Sequence, residues 1–155
     1  PTANLPAMPR ASAPKEGVQL PAVQPRSLAV KPGEKPWTKA ELTEVITELH
    51  QHRDRLAHLL HDQEQELADL MRDAGDGAGQ DQADLGATSF ERDQELTVLN
   101  NEREMLFQIE RALSHIDDGT YGVCENCGEA IGKMRMMAFP RATLCLSCKQ
   151  REERR

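Results

Sequence analysis

The sequence predicts a mostly α-helical protein: a long antiparallel coiled-coil hairpin, then a small four-cysteine domain that ends in a short helix. Three observations predict this fold class. Apolar residues recur at helical spacing through residues 38–118, on both sides of a glycine-rich break. Two C-x2-C pairs lie near the end of the chain. Eight of the nine prolines lie in the first 36 residues, which predicts a disordered, proline-rich N-terminal tail over residues 1–37.

Charge divides the 155 residues into the same three parts. The net charge is +3 over residues 1–37, −13 over 38–118 and +3 over 119–155, which gives −7 for the chain. This excess of acid argues against a protein that coats DNA. No apolar run approaches the roughly 20 residues that span a bilayer, and no basic-then-apolar leader opens the sequence. We therefore expect a cytoplasmic protein with no membrane partner.

The tail is predicted from proline chemistry. Proline removes a backbone donor and biases the preceding residue away from the helix, so this segment reads as an extended linker. A short docking segment, with Val18–Val23 as its apolar part, is the alternative interpretation.

The first arm of the hairpin is predicted to begin at Thr38. Thr38 and Glu41 have the spacing of a capping box, and Trp37 and Leu42 have the spacing of a hydrophobic staple. Apolar residues then recur in steps of three and four as far as Leu70, which predicts one apolar seam on a helix over about 38–73.

Glycines interrupt this pattern at Gly75, Gly77 and Gly79. A second apolar stripe predicts a helix over about 82–117, with Gly119 as its C-terminal cap. Each arm is about 36 residues, or roughly 54 Å at the helical rise. Two arms of equal length with a short joint are expected to pack antiparallel, seam on seam.

The four cysteines give the strongest chemical signal. Cys124 and Cys127 form one C-x2-C pair, Cys145 and Cys148 form another, and the intervening spacing is typical of a four-thiolate Zn²⁺ site. An iron site, disulfides or a redox pair are weaker alternatives. A closed thiolate site has no open position for water, so one structural Zn²⁺ is expected and zinc catalysis is not. The second pair is predicted to open a helix from Leu146 to about Arg154.

Together these residues resemble a known family. The pattern Cys124-x2-Cys127-x3-Ile131-x3-Arg135-x4-Pro140-x4-Cys145-x2-Cys148 resembles the zinc-finger signature of the DksA/TraR family of bacterial transcription regulators. The segment from Asp117 to Gly122 and the upstream hairpin are also similar to that family. The resemblance covers about residues 38–152 and leaves the proline-rich tail outside.

The resemblance implies a function. Members of the family bind RNA polymerase directly, without a DNA site, and the hairpin enters the secondary channel so that its acidic tip approaches the catalytic centre. They thereby modulate transcription initiation, often together with the alarmone ppGpp. By resemblance we expect a monomeric regulator with polymerase as its partner and no sequence-specific DNA site.

The tip can be compared residue by residue. Better-studied members carry D-x-x-D-x-A near the turn, where this chain has Asp81, Asp84 and Gly86. The resemblance implies that the two aspartates act at the tip, and glycine in place of alanine loosens the first helical turn by about 1 kcal/mol. The residues themselves also fit helix capping by Asp81 and a favourable dipole contact by Asp84.

The positions that the resemblance assigns to ppGpp are mostly not basic here. Aligned from the first cysteine, they are Gln108, Phe139 and Lys149, and a pyrophosphate needs converging positive charge. We therefore predict weak or absent ppGpp binding. Arg135 and Lys149 remain candidate contacts to the channel rim or to phosphate.

Two other functional classes stay open as alternatives. The basic residues of the last segment fit a nucleic-acid-binding or protein-interaction module, although the acidic hairpin would repel phosphates. An enzyme is disfavoured because the sequence has no phosphate-binding loop, nucleophile elbow or zinc-protease motif.

Overall fold

The structure, a computed structural model, describes residues 22–76 and 82–155. Within these ranges four helices follow one another, and a short 3-10 turn at Pro25–Ser27 precedes them. The mostly α-helical prediction is confirmed. The helices are α1 (Lys39–Asp76), α2 (Gln82–Asp118), α3 (Lys133–Ala138) and α4 (Leu146–Glu153).

Helix α1 begins at the predicted capping box. The Glu41 backbone N–H donates to Thr38 Oγ1 at 3.2 Å, and the Thr38 N–H donates to Glu41 Oε2 at 3.0 Å. The two hydrogen bonds satisfy donors that a helix start leaves without partners. Trp37 and Leu42, the predicted staple, are both buried in the same core.

Helix α2 ends as the sequence predicts. Gly119 has φ of 78°, the left-handed conformation that glycine adopts without penalty. The reversal lets the Thr120 N–H donate to the His115 carbonyl at 2.9 Å, which closes the helix end.

The hairpin seam is buried in one half only. Leu56, Leu60 and Leu99 are the buried residues farthest from the finger, whereas Leu70 is 47 % exposed and Phe90 is 64 % exposed. The predicted seam-on-seam packing is therefore tightest near the base, while the seam residues Leu67 and Leu96 toward the turn are only half-buried. Two helices alone leave wide flanks open, and only the base gains further layers from the finger and the preceding segment.

Within the described residues, one ion pair joins the two long helices beside the outer end of the buried seam. Arg103 Nη2 lies 2.7 Å from Glu64 Oε1, and both side chains are about half exposed. An exposed pair of this kind contributes less than about 1 kcal/mol, so it supports the register of the hairpin more than its stability.

The core lies where the hairpin base meets the finger. Residues from both parts form one buried cluster, and Ile109, Ile116, Tyr121, Ile131 and Met136 are each at most 1 % exposed. Tyr121 donates its buried hydroxyl to the Pro140 carbonyl at 2.8 Å, and burial raises the pKa of this phenol, which keeps it a neutral donor.

The segment before α1 differs from the predicted tail. Leu28 is 3 % exposed, Trp37 is 1 % exposed, and Val23 packs against the same core. The prediction of a disordered tail up to residue 37 therefore does not hold for residues 22–37, which we call the N-terminal arm. Composition predicts disorder for the segment as a whole, but a few apolar side chains are enough to anchor it. Residues 1–21, including Val18, lie outside the described part.

Within the described ranges, neither long helix has an apolar stretch long enough to cross a membrane.

Gly122 shows how tightly the arm packs. It has φ of 88°, and a methyl group added to it would lie 3.0 Å from the Ala29 carbonyl oxygen. We predict that Gly122→Ala lowers the free energy of unfolding of the zinc-loaded protein by about 2–3 kcal/mol, because left-handed strain and a backbone clash add. Gly33→Ala is the matched control, since Gly33 has φ of 88° with nothing within 4 Å. Its expected loss is about 1 kcal/mol. Equal losses in denaturant unfolding would show that the arm does not pack on Gly122.

Candidate functional site

The first cysteine pair lies on a tight turn. The Cys124 N–H donates to the Glu129 carbonyl at 2.8 Å, and the Gly128 N–H donates to the Cys124 carbonyl at 2.9 Å. Gly128 has φ of 76°, which the turn requires. The chain thus folds back on itself within five residues, and both sulfurs of the pair face the same side.

The second pair lies at the start of a helix. Cys145 is the N-cap residue of α4, and Cys148 is in its first turn. The helix begins at Leu146, as the sequence predicts. Three residues apart, the two cysteines lie on one helix face.

The four sulfurs converge on one point. All four Sγ atoms lie within 4.8 Å of one another, and Cys127 Sγ is 3.8 Å from Cys145 Sγ. A tetrahedral Zn²⁺ with Zn–S bonds of about 2.3 Å requires sulfurs about 3.8 Å apart. The residues present therefore fit one four-coordinate Zn²⁺. The closed thiolate set gives the ion a structural role.

Hydrogen bonds to the sulfurs of Cys124 and Cys148 favour the thiolate form of these two cysteines. The Cys145 N–H donates to Cys124 Sγ at 3.3 Å, and Cys148 Sγ accepts from Asn126 Nδ2 at 3.3 Å and Arg151 Nη2 at 3.1 Å. Burial opposes the Cys124 thiolate, but backbone N–H donors outweigh it and lower the pKa of Cys124 to about 6. The Asn126 side chain likewise lowers the pKa of Cys148. Sequence reasoning missed Asn126 and Arg151, since no motif marks such supporting donors.

Glu125, between the first two cysteines, ties the metal turn to α2. Its carboxylate accepts from the Arg111 guanidinium and contacts His115 Nε2 at 2.9 Å. Burial opposes its charge, but His115 and Arg111 outweigh that effect and lower the pKa of Glu125. The other ring nitrogen of His115 lies 2.7 Å from Thr120 Oγ1. These contacts hold the metal turn against the last two turns of the hairpin.

Lys133, at the start of α3, connects the finger to α1 and the arm, on the side away from the Glu125 contact with α2. It is 7 % exposed, and its Nζ lies 2.6 Å from Glu41 Oε2 and 3.3 Å from the Pro36 carbonyl oxygen. The same ammonium lies 5.8 Å from the centre of the Trp37 ring. The hydrogen bond from Lys133 lowers the pKa of Glu41. Nothing in the sequence pattern marks this lysine as buried.

The three positions compared with a ppGpp site lie around one cleft. Gln108, Phe139 and Lys149 line a space of about 650 Å³ between α2 and the finger. Arg135 also lines it, with its guanidinium 5.6 Å from the Phe139 ring centre. The structure therefore brings the candidate rim residues Arg135 and Lys149 to the same surface.

The tip positions are only partly within the described structure. Asp81 lies outside it, and Asp84 is described only as a backbone position near the start of α2. Gly86 is an exposed residue of the same helix, with open space around its Cα. A tip function for these residues stays a prediction.

The fold and site define a class of protein, a long helical hairpin with a C4 zinc finger fixed to its base. Comparisons with known proteins name the family. Residues 119–154 match the sequence profile of the prokaryotic dksA/traR C4-type zinc finger.

Curated relatives extend the match over the hairpin. The chain is 33 % identical over 119 residues to the RNA polymerase-binding transcription factor DksA of Escherichia coli strain K12, covering 77 % of this chain and 76 % of that protein. It is 39 % identical over 75 residues to the DksA of Caulobacter vibrioides strain NA1000 / CB15N, which is 48 % of this chain. That match spans about half the length of the Caulobacter protein, 53 %.

A solved structure agrees with the family profile and with the curated relatives. The transcription factor DksA2 of Pseudomonas aeruginosa superposes with a TM-score of 0.58 at 33 % identity, covering 75 % of this chain and 85 % of that one. The chain belongs to the DksA/TraR family of C4 zinc-finger proteins.

Removing one metal ligand tests the zinc site. We predict that Cys145→Ser abolishes stoichiometric zinc and unfolds the finger, because structural Zn²⁺ supplies about 10–16 kcal/mol of folding free energy in zinc-finger peptides. Ser147→Ala is the control, since Ser147 is an exposed residue of the same helix. Elemental analysis is expected to find one zinc per chain in the wild type and the control. Wild-type protein that keeps a folded finger after exhaustive chelation would contradict a structural role.

Proposed function

We propose that this protein binds bacterial RNA polymerase directly and modulates transcription initiation. The observation that carries the proposal is the combination of a C4 finger with a long acidic hairpin, the arrangement shared with relatives that are named RNA polymerase-binding transcription factors. We propose that it acts in the cytoplasm, as a monomer and without enzymatic activity; the relatives' description as transcription factors supports the regulatory role.

The charge of the hairpin suits a positively lined channel. Residues 38–118 carry a net charge of −13, and the half beyond Leu60 and Leu99 is solvated on its flanks. A hairpin with this negative charge is attracted to a positively charged cavity and repelled by the phosphates of free nucleic acid. We therefore propose that the hairpin enters the secondary channel of polymerase with its turn leading.

At the tip, Asp81 and Asp84 are proposed to act on the catalytic centre, with Gly86 tuning the first turn of α2. Arg135 and Lys149 are proposed to contact the channel rim. Lys149 pairs with Glu152 at 3.0 Å on the protein surface, where such pairs are weak enough to exchange partners on binding.

Replacing one tip carboxylate separates binding from activity. We predict that Asp84→Asn retains binding to polymerase within about threefold but loses most of the effect on initiation, because a carboxylate contributes charge that the amide cannot. Asp93→Asn is the matched control, an exposed aspartate farther along α2. The measurements are a polymerase pull-down and in vitro transcription. Failure of the wild type to bind polymerase, or tight salt-dependent binding to free DNA without polymerase, would contradict the proposal and favour the nucleic-acid module.

The cleft between α2 and the finger is proposed to be a poor ppGpp site. Four cationic side chains line it, but four carboxylates do so as well, and Glu125 already engages Arg111. A pyrophosphate would meet little net positive charge there.

Direct titration tests this expectation. Labelled ppGpp titrated onto polymerase is expected to show the same number of sites with and without this protein. Gln108→Lys combined with Phe139→Arg is the variant designed to create a site by adding two cations to the cleft. A site that the wild-type protein adds to polymerase would contradict the expectation.

A further inference from the structure

Helix α3 has no cap of its own. Its N-cap residue is Gly132, which offers no side-chain acceptor, so the first backbone donors of α3 need one from elsewhere. The start of helix α3 faces the arm, because Lys31 side-chain atoms would lie 3.4 Å from a methyl group on Gly132.

Glu34 supplies the missing acceptor across 99 residues of sequence. The Lys133 N–H donates to Glu34 Oε1 at 3.0 Å, and the Met134 N–H donates to Glu34 Oε2 at 3.2 Å. Each carboxylate oxygen therefore takes one of the two donors, and Glu34 Oε1 also accepts from the Lys31 N–H at 2.8 Å. Burial opposes the charge of Glu34, but these backbone donors and Lys31 outweigh it and lower the pKa of the carboxyl.

The loop that presents Glu34 is preorganised. The Glu34 N–H donates to the Lys31 carbonyl at 3.1 Å across a four-residue turn, with Pro32 in its second place. Gly33, in the third place, has φ of 88°, as a type II turn requires. The turn thus fixes the backbone of Glu34, independently of the contact that its carboxylate makes with α3.

Lys133 completes the connection from the other direction. Its backbone N–H binds Glu34 of the arm, while its Nζ binds Glu41 of α1. One residue of the finger therefore contacts both the arm and the first turn of the hairpin. We call the contacts of Glu34, Lys133 and Glu41 the Glu34–Lys133 bridge.

Besides the shared apolar core, polar contacts join the finger to the hairpin at two separate places. One is the end of α2, where the chain continues into the finger and Glu125 binds Arg111 and His115. The other is the Glu34–Lys133 bridge, on the side of α1. Apolar packing is non-directional, whereas polar contacts to two different helices define an angle.

We propose that Glu34 and Lys133 are positioning residues that set the angle between the zinc finger and the hairpin. The inference rests on the proposed function for its biological effect, since a regulator seated by its finger delivers its tip only at one hairpin angle. Among the described residues, the polar contacts of Glu34 and Lys133 go to the arm, α1 and α3 rather than to the four cysteines.

The experiment compares Glu34→Ala with Glu34→Gln in the full zinc-loaded chain. Glutamine keeps one oxygen acceptor and loses the charge, so we expect Glu34→Gln to preserve part of the contact with α3 that Glu34→Ala removes. Glu44→Ala is the matched control, because it removes the same side chain from an exposed position of α1. Spin labels are attached through keto-bearing residues at Gln51 and Gln150, two exposed positions, so that the cysteine thiols are left untouched.

Three measurements are made on each variant: zinc content, the distance distribution between the labels, and amide exchange at Lys133 and Met134. For Glu34→Ala we expect one zinc per chain, a broadened or shifted distance distribution and at least a tenfold faster exchange of the two amides. The transcriptional effect is expected to fall several-fold. In distance distribution, amide exchange and transcriptional effect, Glu34→Gln should lie between the wild type and Glu34→Ala. Glu44→Ala should match the wild type in all three.

An unchanged distance distribution in Glu34→Ala would overturn the inference. An altered distribution with full transcriptional effect would support the inferred angle and contradict its biological effect, the delivery of the tip at one hairpin angle only. If Glu34→Ala fails to retain zinc, the same comparison is made with Glu34→Gln, whose partial change of angle is the deciding result. Wild-type protein that does not bind polymerase would refute the proposed function, while the label distances would still decide whether the bridge sets the angle.

Discussion

The convergence of four thiolates on one metal ion is the constraint on which the rest of the structure depends. Cys124 and Cys148 are buried in the same cluster that packs the hairpin base, so the metal and the apolar core stabilise one another. The finger has too few apolar residues to fold alone, and Zn²⁺ replaces a core that it lacks. Because Glu125 lies between two ligands and binds the end of α2, the metal site also fixes part of the hairpin.

The hairpin changes character along its length. Near the finger its apolar seam is covered on several sides, whereas Leu70 and Phe90 toward the turn are exposed. A buried base with a solvated, acidic far half fits the proposal that the hairpin is held at the finger and inserted with its turn leading. The difference between the two ends agrees with the charge distribution. Residues 38–118 have a net charge of −13, whereas the finger has a small positive net charge.

Local signals in the sequence predicted most of the fold. The capping box at Thr38, the glycine cap at Gly119 and the paired cysteines each act over a few residues, so spacing alone reveals them. Contacts between distant residues could not be read in this way. Glu34 and Lys133 are 99 residues apart, and the proline content around Glu34 indicated disorder. The Pro-Gly pair before Glu34 was the available signal, because it marks a defined turn that a disordered tail does not need.

The most direct test of the central claim is photo-crosslinking from the hairpin tip to polymerase. A photoreactive amino acid at Ala87, an exposed residue near the start of α2, is introduced into the zinc-loaded protein and irradiated with polymerase. We expect crosslinks to polymerase segments that line the secondary channel close to the catalytic centre, and their loss when zinc is removed. Crosslinks confined to the outer surface of polymerase, or none at all, would contradict it.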